Sequence, residues 1–305
     1  MRPDWGTSMG HVIRPRFLMC RPEHYTVSYA INPWMDPARW ARDARAHRAA
    51  VHEWDTLYQK LIELGAAVEL VPPAQGVPDL VFTANAAVVL NRRALLARFR
   101  HEERRREEPH FEAAFRVLQA RGVIDDVQKL PPGLVLEGAG DCVFDAARDL
   151  FWLGYGPRSD LAAAGPVAEM FSREVVALEL ADPRFYHMDT ALCPLPGGEV
   201  MYLPEAFTAE GLRVIRARVE PGDRIEIGIE DGSLLAANAV CVGRTIVMSA
   251  ASEPLRADLR RRGYAVAVIP LGSFLRSGGS AFCLTLRLDR NSVPALATSP
   301  RRAVA

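Results

Sequence analysis

The architecture is best predicted from residues 134–180, which contain LVLEGAGDCVFD (134–145), LFWLGYG (150–156), SDLAAAGPVAEMF (159–171) and VVALEL (175–180). Three of these four stretches are rich in the β-branched, aromatic and aliphatic residues of buried strands. The remaining stretch, 159–171, has the apolar spacing of a helix. The sequence therefore predicts two strands, a helix and a third strand in succession.

Comparable units recur about every fifty residues, a spacing typical of repeat architectures. One unit has a strand from Phe17 to Cys20, helical spacing over 37–65 and a strand from Ala67 to Val71. DLVFTANAAVVL (79–90) is predicted to be a strand, a bend and a second strand, and GGSAFCLTLRL (278–288) a closing strand. The repeat favours a cyclic α/β fold over a doubly wound sheet. Neither of the glycine-rich phosphate-binding motifs of nucleotide-binding sheets is present.

The composition is that of a globular protein that acts on a small molecule. Hydrophobic residues make up 49% of the 305 residues, enough to bury a sizeable core. The 37 Lys and Arg residues balance the 37 Asp and Glu residues, so no net charge attracts nucleic acid or an anionic membrane. We therefore expect a small-molecule substrate and neither nucleic acid nor membrane as a partner, while the composition leaves a homo-oligomer open.

The chain is predicted to be one cytoplasmic domain between two tails. No uncharged apolar run approaches the roughly 20 residues that a membrane span needs, and the opening MRPDWGTSMGH lacks a signal-peptide core. Five widely spaced cysteines show no disulfide or CxxC pattern, so free thiols are expected. We predict an N-terminal tail over 1–12, a single α/β domain over 13–290 and a C-terminal tail over 291–305.

Two residues are candidates for nucleophilic catalysis. Cys283 follows the pair Gly278-Gly279, where the missing side chains let a ligand or another backbone approach the thiol. His187 in RFYHMDT (184–190) is a candidate general acid or base, because its proton exchanges near neutral pH. Each residue alone is equally compatible with a structural role, since free cysteines commonly pack as small hydrophobes.

Acidic and amide side chains form a second set of candidates. Glu137 and Asp141 flank the small residues of LEGAGDC (136–142), where a cation has room to lie against backbone and carboxylate together. Asp79 and Asn85 form another polar pair. A solvated turn is the alternative interpretation of both. No cluster has metal-ligand spacing, so neither a metal nor a cofactor is expected.

These residues fit a reaction on a guanidinium group. Carboxylates match the planar cation in bidentate geometry, and Arg98 and Arg158 provide cations for a substrate carboxylate. The Cys283 thiolate would add to the central carbon and form a covalent thiouronium. His187 would protonate the leaving amine and afterwards activate water. The sequence therefore predicts a cysteine-dependent hydrolase of free arginine or a close relative.

Five ordered motifs resemble the guanidino-group modifying superfamily of arginine deiminases, dimethylarginine hydrolases, amidinotransferases and arginine dihydrolases. They are VFTANAAVV (81–89), ARFRHEER (97–104), LEGAGD (136–141), YHMDT (186–190) and GGSAFC (278–283). The resemblance implies a five-bladed α/β propeller, or pentein, of repeated ββαβ units with the active site at its centre. It implies Cys283 as nucleophile, His187 as acid and base, and Glu137 as the carboxylate that clamps the guanidinium. The substrate-binding positions that it implies are Asp79, Arg98 and Arg158. Asp189, two residues after His187, is a further predicted substrate-binding residue.

Two departures from the superfamily pattern bear on the product. Asn85 stands where deiminases and dimethylarginine hydrolases have an acid, and EGAGD replaces EGGD, which leaves the role of Asp141 open. The segment MCRPEHYTVSYAINPWMD (19–36) resembles arginine dihydrolases, in which the positions of Asn32 and Asn85 line the pocket. An amide changes both the charge and the hydrogen-bond donors around the intermediate. We therefore expect an arginine dihydrolase that releases ornithine, carbon dioxide and two ammonia molecules.

Other functions remain open from the sequence. A citrulline-forming arginine deiminase or dimethylarginine dimethylaminohydrolase would use the same residues, and so would transfer of the amidino group to an acceptor amine. A propeller of this kind also serves as a non-catalytic binding module. Such a module need not keep Cys283, His187 and Glu137, so the presence of all three favours catalysis.

Overall fold

The computed structural model describes residues 14–292. The predicted tail over 1–12 lies outside the described residues, as does the predicted tail over 291–305 except for its first two positions. The strands are β1 (Arg16–Cys20), β2 (Ala67–Val71), β3 (Ala87–Leu90), β4 (Arg93–Leu96), β5 (Asp126–Lys129), β6 (Cys142–Asp145), β7 (Leu150–Tyr155), β8 (Glu174–Glu179), β9 (Leu192–Pro194), β10 (Val200–Tyr202), β11 (Arg224–Glu226), β12 (Val240–Val242), β13 (Thr245–Met248), β14 (Ala265–Val268) and β15 (Leu286–Arg287).

Helices and helical turns connect these strands. The α-helices are α1 (Pro37–Ala41), α2 (Ala46–Glu63), α3 (Glu102–Arg105), α4 (Glu108–Ala120), α5 (Gly138–Asp141), α6 (Ala164–Phe171), α7 (Met188–Ala191), α8 (Ala209–Arg218), α9 (Ile229–Gly232), α10 (Glu253–Arg261) and α11 (Gly272–Leu275). Short 3-10 helices lie at Pro78–Val81, Thr83–Ala86, Leu161–Ala163, Pro204–Ala206 and Pro221–Asp223.

The strands of the described range form five three-stranded sheets, with the orders β15-β1-β2, β3-β4-β5, β6-β7-β8, β9-β10-β11 and β12-β13-β14. In each sheet, or blade, the first strand is antiparallel to the second, and the second is parallel to the third. β15 completes the blade that begins the chain, with Leu286 opposite Leu18. The predicted five-bladed α/β propeller is confirmed.

A helix lies between the second and third strands of each blade, because parallel neighbours need a crossover connection. In α2, the buried residues recur every three or four positions, so they form one stripe against the sheet; they are Ala46, Ala50, Trp54, Leu57 and Leu61. The helical spacing predicted over 37–65 is divided into two helices, since α1 ends at Ala41 and α2 begins at Ala46.

Polar segments meet at one end of the first strands. The segments before β3, β6, β9, β12 and β15 hydrogen-bond to one another in a closed ring. The donors and acceptors are Asn85 Nδ2 to the Glu137 carbonyl (3.0 Å), the Met188 N–H to Asp141 Oδ1 (3.1 Å), Asn238 Nδ2 to the Asp189 carbonyl (3.2 Å), the Cys283 N–H to Asn238 Oδ1 (3.1 Å) and the Ala84 N–H to the Cys283 carbonyl (3.1 Å). Residues far apart in sequence therefore meet on the propeller axis.

Three of these segments differ from the prediction that they are strands. In the predicted strand 134–145, residues 138–141 form the short helix α5, and strand pairing begins at Cys142. Residues 79–86 form helical turns, and strand pairing begins at Ala87. Residues 281–284 form turns, so Cys283 precedes the closing strand and does not lie within it. The reason is that these segments bond across the ring, as when Thr83 Oγ1 donates to the Leu284 carbonyl (3.2 Å). Their apolar residues reflect burial at the axis, which periodicity cannot distinguish from a buried strand.

Candidate active site

A small cavity lies beside this ring. Its lining includes four of the predicted site residues on the ring side, Asp79, Asn85, Arg158 and Cys283. It leaves about 10 Å³ for water, which is room for about one molecule. A ligand the size of an amino acid therefore requires the covering segment to move.

The thiol of Cys283 is buried and bonded to two side chains. Sγ donates to Asp189 Oδ2 (3.3 Å) and accepts from Asn238 Nδ2 (3.1 Å). Asn238 Oδ1 accepts the backbone N–H groups of Cys283 (3.1 Å) and Ser280 (3.0 Å). One amide thus fixes both the sulfur and its backbone. Asn238 was not predicted from the sequence, because no motif surrounds it.

Burial dominates the proton equilibria of this pair. It raises the pKa of the Cys283 thiol well above its usual value, and the Asp189 carboxylate adds to the effect. Burial also raises the pKa of Asp189 to about 7, although hydrogen bonds from Cys283 and Asn238 oppose it. Asp189 Oδ1 has no hydrogen-bond partner within residues 14–292. A protonated thiol therefore rests beside a carboxyl group that exchanges its proton near neutral pH.

His187 is paired with Glu137, with Nε2 2.8 Å from Glu137 Oε2. The same oxygen accepts from Arg158 Nη1 (3.0 Å). His187 is the proton partner of Cys283 that the sequence predicts, but the thiol is bonded to Asp189 instead. The difference arises because both His187 and Asp189 lie at the start of one short helix, where they face different neighbours in the ring.

The carboxylate of the second pair, unlike that of the first, stays charged at neutral pH. Burial lowers the pKa of His187 to about 4, against the hydrogen bond and charge of Glu137. Burial alone would raise the pKa of Glu137, but the Arg158 guanidinium and the hydrogen bond to His187 outweigh it and hold the pKa well below its usual range. At neutral pH the pair is therefore an anion that accepts the Nε2–H of a neutral imidazole.

Asp141, whose role the sequence left open, links two blades. Oδ2 accepts from Ser159 Oγ (2.5 Å), and Oδ1 accepts the Met188 N–H (3.1 Å). Burial raises the pKa of Asp141 well above its usual value, and Glu137 acts in the same direction against the Ser159 hydrogen bond. Asp141 therefore positions the turn that carries His187.

Asp79 offers a free oxygen beside the cavity. Oδ2 accepts from Tyr29 Oη (2.8 Å), but Oδ1 is buried without a partner in the described part of the chain. Burial raises the pKa of Asp79, and the Arg104 cation opposes this. A buried acceptor without a hydrogen bond is costly. Asp79 Oδ1 is therefore a candidate acceptor for a cationic N–H group of a ligand.

Asn85 occupies the space that the glycines after Glu137 create. A Cβ at Gly140 would collide with Asn85 Nδ2, and a Cβ at Gly138, whose φ is +63°, would lie 2.7 Å from the Asn85 backbone. Asn85 Oδ1 accepts from Arg104 Nη1 (3.0 Å). The prediction that this loop leaves room for a cation is wrong, because the glycines admit a neighbouring amide.

A buried ion pair contributes a residue that the sequence analysis did not identify. Arg104 lines the cavity and donates through Nε and Nη2 to the two oxygens of Glu107 (both 2.8 Å). Their exposed fractions are 3% and 0%, although a segment of mixed charge usually forms a solvated face. Their opposite charges at i, i+3 spacing are the signal that pairs them.

The two arginines predicted to hold a substrate carboxylate lie in different places. Arg158 is buried, lines the cavity and lies 4.5 Å from the centre of the Tyr186 ring. Arg98 donates to loop carbonyls at 2.6–3.1 Å instead, those of Leu130, Pro131 and Leu134. The prediction for Arg98 is therefore corrected. A backbone bridge to Leu136 fixes the chain at this point, and successive side chains of an extended segment face opposite sides.

Asn32 belongs to the segment that covers the cavity. Nδ2 donates to the Ser277 carbonyl (3.0 Å), and Oδ1 accepts the Trp34 N–H (2.9 Å). Asn32 lines the cavity, as expected from the sequence. Trp34 Nε1 also donates to the Arg184 carbonyl (2.7 Å). These bonds hold the segment across the site.

Residues 14–292 contain no group of three or more His, Cys, Asp or Glu side chains arranged to hold a metal ion. Over the same range, the helices are too short or too polar to cross a membrane.

Comparison with known proteins identifies the family. Residues 22–290 match the model of the family described as N,N dimethylarginine dimethylhydrolase, eukaryotic. The chain belongs to the dimethylarginine dimethylhydrolase family. The N(G),N(G)-dimethylarginine dimethylaminohydrolase of Mycobacterium tuberculosis is 35% identical over 273 residues, which cover 90% of this chain and 85% of that protein. Residues 22–290, which match the family model, include all the residues of the ring.

Another relative is more similar in sequence. The bifunctional arginine dihydrolase/ornithine cyclodeaminase ArgZ of Synechocystis is 44% identical over 283 residues, which cover 92% of this chain and 38% of ArgZ. The chain thus spans about two fifths of the length of ArgZ. Two crystal structures of the ArgZ N-terminal domain match it with TM-scores of 0.86 and cover 92% of this chain and 100% of that domain. One is a mutant bound to substrate at 43% identity, and the other, at 44%, is covalently bound to a reaction intermediate.

Proposed function

We propose that the chain is an arginine dihydrolase, which converts L-arginine and two water molecules into ornithine, carbon dioxide and two ammonia molecules. The observation that carries the proposal is a buried thiol, Cys283, bonded to Asp189 in a site that also contains Asp79. Each carboxylate has one oxygen without a partner among the described residues. Free anionic acceptors beside a nucleophile suit a planar cation with an electrophilic central carbon.

In the proposed complex, the guanidinium N–H groups bind Asp79 Oδ1 and Asp189 Oδ1. Arg158 and Arg104, which line the same cavity, supply positive charge for the substrate carboxylate. The segment around Asn32 lifts to admit the substrate and then closes again. The likeness to the substrate-bound N-terminal domain of an arginine dihydrolase supports arginine as the substrate.

The first chemical step is the attack of sulfur on the guanidinium carbon. Cys283 gives its proton to Asp189 as the S–C bond forms, since these two groups are already hydrogen-bonded. One C–N bond then breaks, and the nitrogen leaves as ammonia with the proton that Asp189 took from Cys283, which His187 passes on to the leaving nitrogen. Glu137 stabilises the imidazolium that carries this proton. The product of the step is a covalent thiouronium cation.

The second stage removes the other terminal nitrogen. His187 takes a proton from a water molecule as the water oxygen adds to the thiouronium carbon. Loss of a second ammonia then leaves a thiocarbamate on Cys283. A second water then releases carbon dioxide, ornithine and the thiol. Asn85 favours this branch because its amide is engaged by Glu137 and Arg104 and adds no negative charge beside the thiouronium.

A citrulline-forming hydrolase is the second candidate, because the matching family model is that of dimethylarginine hydrolases. In that reaction the first leaving group is ammonia from arginine or dimethylamine from dimethylarginine. One water then adds to the thiouronium, and the sulfur leaves with release of citrulline. The same Cys283, His187 and Glu137 would serve. A non-catalytic binding module, the candidate from another class, would bind arginine without turnover.

A product assay on the whole purified chain tests the proposal. With L-arginine, we expect ornithine and ammonia in a one-to-two ratio, without accumulation of citrulline. Citrulline and ammonia in equal amounts would replace the proposal with a deiminase, and dimethylamine from dimethylarginine would replace it with a dimethylaminohydrolase. Binding of arginine without any of these products would indicate a binding module.

We further propose that residues 13–290 act as a single catalytic domain in the cytoplasm, without a cofactor. Fractionation of the source cells followed by the product assay tests the location. Light scattering of the purified chain determines whether it forms a homo-oligomer.

A further inference from the structure

Two cysteines that the mechanism does not use meet between neighbouring blades. Cys193 lies in β9 and Cys241 lies in β12. Cys193 Sγ donates to the carbonyl of Ala239, two residues before Cys241 (3.6 Å). Cys241 packs against the hydrophobic core that contains Cys193. Cys193 therefore contacts the segment that carries Cys241, and both cysteines are free thiols.

Cys241 lines a cleft at the opposite end of the inner strands from the active site. The active site is built from residues that precede these strands, whereas Pro196, Gly243 and Arg290, which line the cleft, follow them. The cleft has a volume of about 330 Å³. Cys241 is partly exposed, whereas Cys193 is buried. A small reagent in the cleft can therefore reach Cys241, which packs against the buried core that contains Cys193.

Two arginines make this cleft cationic. Arg287 and Arg290 both line it. Arg287 is paired with Asp289 (Nη2 to Oδ2, 3.1 Å), whereas within residues 14–292 Arg290 donates to the Phe144 carbonyl at 3.5 Å. Arg287 Nη1 also reaches the Cys241 carbonyl (3.3 Å). An anion formed at the cleft end of β12 is thus next to positive charge.

The proton equilibria of the two thiols differ in the direction that this arrangement requires. The influence of the Cys193 thiol, followed by the charges of Arg290 and Arg287, holds the pKa of Cys241 below its usual value against the effect of burial. The influence of Cys241 and burial both raise the pKa of Cys193 well above its usual value. Cys241 is therefore the nucleophile of the pair.

We propose that Cys241 is a modification site, at which a hydroperoxide oxidises the Cys193–Cys241 pair to a disulfide between two blades. The Cys241 thiolate attacks one oxygen of the hydroperoxide, the O–O bond breaks, and the second oxygen leaves as an alcohol or water after taking a proton. The resulting sulfenic acid is attacked by Cys193, which forms the S–S bond and releases water. The two thiols lose two electrons, and the hydroperoxide gains them.

The disulfide would act close to the nucleophile of the proposed function. Asp189 lies four residues before Cys193, and Asn238 lies three residues before Cys241. These two side chains are the ones that contact Cys283 Sγ. A covalent bond between β9 and β12 therefore changes the positions of both contacts. This consequence rests on the proposed function, whereas the formation of the disulfide does not.

Mass spectrometry of the oxidised chain tests the modification site. We use the Cys283→Ser protein, so that Cys283 cannot react, and treat it with hydrogen peroxide. The expected result is the loss of two hydrogens and a peptide linked through Cys193 and Cys241. After an added Cys193→Ser change, dimedone should label a sulfenic acid at Cys241. After an added Cys241→Ser change, Cys193 should stay reduced.

Cys142 provides a matched control, because it is buried and burial raises its pKa well above the usual value. Iodoacetamide should alkylate Cys241 of the reduced protein at least about tenfold faster than Cys142, as expected for a thiol with more thiolate character. Equal alkylation rates would overturn the proposal. The proposal would also be overturned if Cys193 and Cys241 stayed reduced while the peroxide oxidised free cysteine in the same tube.

The link to the active site has its own readout in the chain with Cys283 present. Peroxide should change arginine turnover reversibly, with recovery after thiol reduction, and the change should be smaller in Cys241→Ser. An equal effect on both proteins would overturn the link and assign the effect to Cys283. The disulfide and its mass would remain valid if arginine were not the substrate.

Discussion

Glu137 and Asp189 are both buried carboxylates of the ring, yet their proton equilibria differ in sign. Burial acts on both, but Glu137 lies between Arg158 and His187, which hold its pKa well below the usual range. Asp189 faces a thiol and an amide, and burial raises its pKa to about 7. Neighbouring cations, and not depth, therefore separate a carboxylate that stays charged from one that exchanges a proton.

Replacement of the thiol should have the largest effect, because both carboxylates serve it. Cys283→Ser is expected to lower kcat by about 10⁴-fold or more, as the loss of a nucleophile typically does. The product assay measures this loss, and circular dichroism verifies the fold. Cys241→Ser, which changes a thiol outside the cavity, is the control and should keep its activity under reducing conditions. Full turnover by Cys283→Ser would remove this residue from the mechanism.

Removal of the permanent charge should cost both stability and rate. Glu137→Gln leaves the buried Arg158 without its carboxylate, and breaking a buried pair destabilises a protein by about 3–5 kcal/mol. Denaturant unfolding measures this change, and kcat should fall because His187 loses its anion. Glu253→Gln disrupts a largely exposed pair on α10 and should have little effect. Equal unfolding free energies for the two variants would contradict the assignment of Glu137.

Asn238 tests the positioning of the sulfur on the Asp189 side. Asn238→Ala should lower kcat by about 10-fold to 100-fold with little change in KM, because small displacements of a reacting group are costly. Asn291→Ala, at an exposed site, is the control. If the variant has both a lower kcat and a higher KM, or if neither value changes, the amide does not position the nucleophile.

The proton-exchanging carboxylate should appear in the pH dependence. Below a pH of about 7, Asp189 is protonated and cannot accept the thiol proton. Alkylation of Cys283 by iodoacetamide should therefore accelerate as the pH rises through about 7. Asp189→Asn should abolish this inflection, while the slower alkylation continues. An inflection near pH 4 in the unmodified chain would instead assign the proton transfer to His187, whose pKa is about 4.

The smallest effect is expected at Arg98, which contacts neither Glu137 nor Asp189 through its side chain. Arg98→Ala should leave KM for arginine within about twofold, since its guanidinium bonds loop carbonyls. Arg158→Ala, the matched change at the cavity, should raise KM more strongly. Equal increases in KM would place Arg98 at the substrate after all.

The fold could be predicted because each blade carries its own periodic signal, and the closing of the propeller follows from their repetition. The positions of Cys283 and Asp79 beside one cavity could be predicted because each lies in a motif of unusual composition. Asn238 could not, since no motif surrounds it and its importance depends on contacts across blades. The same limit explains why His187 was expected to serve the thiol, a pairing that depends on distances which exist only after the ring closes.

The pairing of β15 with β1 has a consequence for biosynthesis. Cys283 precedes β15 by three positions, so its contacts with Asn238 and Asp189 form only when that strand docks. A nascent polypeptide on the ribosome therefore carries no assembled reaction centre until β15 has emerged. Translation products that stop earlier would contain His187 and Glu137 without a thiol to serve, and would be inert towards amidines.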